Sequence, residues 1–86
     1  MKILYKVSFI RQFRKLEETL QEEIVDKIEL FKNPKNHVLL KVHSLKGPLK
    51  GYYSFSVNYK FRIIFQFRKG KQEAHLHIIG DHSVYQ

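Results

Sequence analysis

The chain has no cysteine among its 86 residues. That excludes a disulfide staple and any thiolate chemistry, and it fits a reducing compartment. No apolar run approaches the length of a membrane-spanning helix, so neither a transmembrane segment nor a membrane partner is expected. Residues 1–13 lack the apolar core and small-residue cleavage site of a secretory signal, so a cytoplasmic chain is expected. Repeats, low-complexity segments and linkers are also missing, which predicts one domain over residues 1–86. Acidic residues are scarce: eight, against sixteen Lys and Arg, for a net charge of +8. Six of those eight lie between Glu17 and Glu29, and none lies between Glu29 and Glu73. Such an imbalance points to a polyanionic partner, nucleic acid first and an acidic protein second.

Aromatic residues are plentiful, with seven Phe and five Tyr, and 43% of the chain is hydrophobic. That is enough for a folded chain with one modest core. Residues 52–68 organise it. Tyr53, Phe55 and Val57 alternate with Tyr52, Ser54 and Ser56. After the break at Asn58-Tyr59-Lys60, Phe61, Ile63, Phe65 and Phe67 alternate with Arg62, Ile64, Gln66 and Arg68. A period of two with aromatic and β-branched residues predicts a half-buried hairpin.

Residues 2–7 alternate as a short strand. Ser8 reads as an N-cap for a helix carrying Phe9, Phe13, Leu16 and Leu20. Thr19-Leu20-Gln21-Glu22 reads as a capping box opening a second helix with Ile24, Ile28 and Phe31, stopped at Asn33-Pro34. Residues 34–50 form a long basic connection. Lys69-Gly70-Lys71 turns into a last strand, with Ala74, Leu76 and Ile78 on one side and His75 and His77 on the other. Tyr59 reads as a turn residue packed on the sheet. The predicted fold is α+β: an N-terminal strand, two helices, then a three-stranded antiparallel meander, in one sheet covered on one face by the helices.

The uncovered face then carries Arg62, Arg68, His75 and His77. His75-x-His77 could hold a metal, but no third ligand accompanies it, so neither metal nor cofactor is expected. His43 and His82 fall in irregular segments flanking the sheet. Two imidazoles beside an arginine can cleave RNA: one takes the 2′-hydroxyl proton, the other protonates the departing 5′-oxygen, and the guanidinium holds the phosphate. Tyr52 and Tyr85 are candidates for base stacking. Lys41, Lys46, Lys50 and Arg68 are candidates for binding the RNA backbone.

Four pieces occur in order: His43-x-Leu45-Lys46-Gly47, Gly51-Tyr52-Tyr53-Ser54-Phe55, Tyr59-Lys60-Phe61-Arg62-Ile63-Ile64-Phe65, and Ile78-Ile79-Gly80-Asp81-His82-x-x-Tyr85. Together they resemble the RelE/ParE superfamily of bacterial toxins, most closely the RelE-type mRNA interferases. The resemblance implies the toxin of a type II toxin–antitoxin pair, a ribosome-associated endoribonuclease that cleaves mRNA by 2′-hydroxyl attack without a metal. It implies an acidic antitoxin held in a hetero-oligomer. By the same resemblance Arg62 is the phosphate-stabilising arginine, His82 the general acid, His43 the general base and Tyr85 the tyrosine that orients a base. Lysine-based members carry lysines where Ser54 and Ser56 stand, so this chain resembles the histidine version of the site. Two alternatives stay open: a ParE-like inhibitor of DNA gyrase, and a non-catalytic RNA-binding module.

Overall fold

The computed structural model describes residues 1–81. The elements are β1 (Lys2–Tyr5), α1 (Val7–Arg14), α2 (Glu18–Phe31), β2 (His43–Ser44), β3 (Tyr53–Ser56), β4 (Arg62–Arg68) and β5 (Glu73–Gly80). Single 3-10 turns occupy Pro34–Asn36 and Gly47–Leu49. The α+β order is the expected one with an addition: His43 and Ser44, read as irregular, form a two-residue edge strand. The sheet runs β1-β5-β4-β3-β2. β3, β4 and β5 are the antiparallel meander. β1 adds parallel to β5 at one edge, and β2 antiparallel to β3 at the other. Among the described residues no helix is long and apolar enough to cross a membrane.

Both apolar helix stripes pack on one sheet face. Phe9, Ile24, Ile28 and Phe31 meet Phe55, Val57, Ile63, Phe65, Ala74 and Leu76 in one core. Phe31 is its centre: its ring stacks on Phe55 at 4.3 Å and meets the edge of Phe65 at 4.8 Å. Each such side chain contributes about 1.5–3 kcal/mol by leaving water.

Four local expectations fail, each for a tertiary reason. Ser8 does not cap α1; Lys6 stands at that position. The helix starts directly off the sheet edge, where Lys6 N–H donates to the Leu76 carbonyl at 2.9 Å. The Ser8 hydroxyl is then free to donate to the next edge carbonyl, that of His77, at 2.6 Å. The capping box at Thr19 does not form, because α2 begins at Glu18 with Glu17 as N-cap. The Gln21 amide instead donates to the Phe13 carbonyl at 2.7 Å, tying α2 to the last turn of α1. Ile78 does not face the core; Ile79 does. β4 and β5 pair Ile64 with Ile78 but Phe65 with Leu76, so His77 is the extra residue of a bulge that inverts the alternation beyond it. Tyr59 stands 88% exposed at the hairpin tip rather than packing on the sheet.

Candidate RNA-cleaving face

Arg62 is placed by its turn. Asn58 Oδ1 accepts from the backbone N–H groups of Lys60 at 2.9 Å and Phe61 at 2.8 Å. This is the Asx arrangement by which asparagine closes turns. The Asn58 amide donates to Glu23 Oε1 of α2 at 2.7 Å, so the helix layer anchors the turn. Arg62 Nη1 in turn donates to the carbonyls of Asn58 at 2.6 Å and Phe61 at 3.1 Å. The guanidinium is thus held, half-buried, at the turn end of β4. Asn58 and Glu23 were not singled out from sequence; an asparagine opening a three-residue break was the available signal.

His43 is placed by the sheet edge. It pairs with Ser54, and Ser54 pairs with Ile64. Residues paired across an antiparallel sheet share a face, so His43 stands on the face away from the helices, with Ile64 and Arg62. Two strand spacings and one pleat repeat put the His43 and Arg62 Cα atoms about 12 Å apart. Side chains can close that gap around one phosphodiester. His43 is exposed, and its Nδ1 lies 2.7 Å from the Lys41 carbonyl oxygen.

The remaining candidates divide. Lys41, Lys46 and Lys50 are exposed on the connection that carries His43. Lys46 and Lys50 flank the Gly47–Leu49 turn. Arg68 shares the face of Arg62 but sits six residues along β4, about 20 Å away. There it donates to Gln66 Oε1 at 3.1 Å and pairs in register with Glu73. His82 and Tyr85 lie outside the described residues.

The centre of this face is not open. Tyr52 meets His77 edge-on at 5.2 Å, and Ser54 and Ile64 are fully buried. Burial first, then the positive charges of Lys6, His75 and Arg68, hold the His77 imidazole below its ordinary range. Its Nε2 and the Ser54 hydroxyl are buried without a hydrogen-bond partner among the described residues. His75 Nε2 lies 3.2 Å from Glu73 Oε1. That hydrogen bond, seconded by Lys69, holds the Glu73 carboxyl below its ordinary range against the opposing effect of burial.

No family model and no curated protein matches the chain. Solved structures do. A YoeB/ParE toxin from Agrobacterium tumefaciens superposes with a TM-score of 0.76 at 22% identity, over 95% of this chain and 99% of that one. A chain of the RelBE2 toxin–antitoxin complex from Mycobacterium tuberculosis gives 0.72 at 12% identity, over 93% and 95%. A chain of the YoeB–YefM complex from Staphylococcus aureus gives 0.71 at 16% identity, over 95% and 97%. At these identities the likeness is one of fold, and it spans the sheet and both helices. The chain has the fold of the RelE/ParE superfamily of type II toxins.

Proposed function

We propose that this chain is the toxin of a type II toxin–antitoxin pair and that it cleaves mRNA on the ribosome. One observation carries the reading beyond the fold: His43 and Arg62 share a sheet face, one held at Nδ1 and the other by turn carbonyls. His43 takes the proton of a 2′-hydroxyl. The 2′-oxygen attacks phosphorus and the P–O5′ bond breaks. A 2′,3′-cyclic phosphate and a 5′-hydroxyl result. Arg62 carries the negative charge that builds on the non-bridging oxygens. His82 protonates the departing 5′-oxygen, and Tyr85 orients the base. Lys41, Lys46, Lys50 and Arg68 hold the RNA backbone. Side chains fill every role, so the route calls for no metal or cofactor.

The partner that restrains it is an acidic antitoxin protein. The support is charge: a net +8, with no acidic residue between Glu29 and Glu73. An extended acidic segment and RNA are attracted by the same surface.

The test is purified protein with intact, magnesium-stabilised ribosomes and mRNA. The expected result is defined cleavage with cyclic-phosphate ends, reduced about 10²–10⁴-fold in His43→Ala. Inhibition of gyrase supercoiling without RNA cleavage would assign the gyrase-directed activity instead. RNA binding with neither activity would leave a binding module.

A further inference from the structure

The connection before β2 ends in a helix-terminating motif. Lys41 N–H donates to the Val38 carbonyl at 3.1 Å, and Val42 N–H to the His37 carbonyl at 2.9 Å. These two bonds around a left-handed residue make a Schellman motif, whose left-handed position is most often glycine. Here it is Lys41, with φ of 58°. A side chain in that conformation is strained relative to the right-handed one.

The segment is fixed at both ends. Leu40 is buried in the core, 2% exposed. Its carbonyl accepts from Ser56 N–H at 2.8 Å, and Ser56 is the register partner of Arg62. Pinned this way, the left-handed turn brings the Lys41 carbonyl oxygen to 2.7 Å from His43 Nδ1. A carbonyl oxygen only accepts, so Nδ1 must carry the hydrogen. In the neutral ring Nε2 then holds the lone pair. A free neutral imidazole in water favours the opposite tautomer, so the contact reverses an intrinsic preference.

We propose that Lys41, besides the RNA contact of its ammonium group, is a positioning residue for His43, acting through its backbone carbonyl. It fixes the ring plane and keeps Nε2 as the proton acceptor. This rests on the reading of His43 as the general base. Other enzymes orient a histidine by the same principle, through a bond to the nitrogen that does not react.

Two measurements test it. The first is a two-bond 1H–15N correlation on histidine-labelled wild-type protein, well above the ordinary histidine range. It should show His43 with its hydrogen on Nδ1; a hydrogen on Nε2 would overturn the proposal. The second is steady-state cleavage by Lys41→Gly, Lys41→Asn and Lys41→Val. Glycine and asparagine accept left-handed backbone, whereas a β-branched residue does not. All three variants lose the ammonium that holds the RNA backbone and should raise KM alike, but the first two should keep the tautomer. Lys41→Val should also lose the tautomer, with a kcat at least about tenfold below that of Lys41→Gly, a part of what a placed acid–base group supplies. If Lys41→Gly and Lys41→Val instead have the same kcat, the backbone conformation is not what matters and the proposal fails. Should Lys41→Val not fold, the wild-type tautomer and the glycine and asparagine variants still decide. Failure of the toxin reading is separable: the wild type would then cleave nothing, while the spectrum still reports which nitrogen is held.

Discussion

Replacing Asn58 by alanine should destabilise the protein by about 2–4 kcal/mol. The asparagine makes three side-chain bonds: it accepts from two backbone N–H groups and donates to Glu23. A neutral hydrogen bond contributes about 0.5–1.5 kcal/mol and one to a charged group about 1.5–3, so the sum is about 2.5–6. The turn is half-exposed, and water satisfies part of what is freed, which lowers the figure to the stated range. At this chain length each kcal/mol moves Tm by about 4–8 °C, so the fall should be about 8–32 °C. Asn58→Asp keeps the oxygen that accepts from the turn but sets a carboxylate against Glu23, and should fall between wild type and alanine. Thermal unfolding followed by circular dichroism measures both variants. A Tm for Asn58→Ala within about 3 °C of wild type, under 1 kcal/mol, would refute the idea that this side chain holds the turn. The same substitution loosens the Asn58 carbonyl that restrains Arg62. Cleavage measured well below the lowered Tm should therefore drop as well.

Phe31→Ala should cost about 3–5 kcal/mol, because the ring stacks on Phe55 and meets Phe65 at the core centre; urea unfolding reads this directly. Gln12→Ala should cost about 1–3 kcal/mol, since its amide accepts from Ile79 N–H at 2.8 Å and donates to Ile79 O at 2.9 Å. Hydrogen exchange at the Ile79 amide should accelerate, and unchanged exchange would mean the contact is idle. His77 is held below its ordinary 6.5 in the folded state. As pH falls, the unfolded chain takes up that proton first, so stability should decline below about pH 6.5. His77→Gln should remove that part of the slope in urea midpoints. The stability contributed by Glu73, held low in the folded state, is lost only below its ordinary 4.5, so the two slopes separate. Arg62→Lys keeps the charge but loses the fork, and its kcat should fall between wild type and Arg62→Ala; full activity in the lysine variant would rule out bidentate phosphate contact.

Much of this was legible in the order of residues. Alternation over 53–57 and 61–67 showed which side chains enter the core and left Arg62 on the other face. Helical spacing of Ile24, Ile28 and Phe31 marked the stripe that covers the sheet. Both are local periodicities, set by where successive Cβ atoms point. Periodicity says which way a side chain faces but not what it meets. Lys2 pairs with Glu73, and His43 with Ser54, only once the chain between them has closed. The bulge at His77 exchanges Ile78 for Ile79 in the pairing with β4, a shift that no alternation within β5 announces. Lys41 carries no residue-type signal for left-handed backbone. Its conformation follows from Leu40 being held by the core and by Ser56, contacts between parts of the chain that no short window of sequence contains. The chemistry proposed for His43 depends on that conformation, because the Lys41 carbonyl reaches the imidazole only when the turn is left-handed.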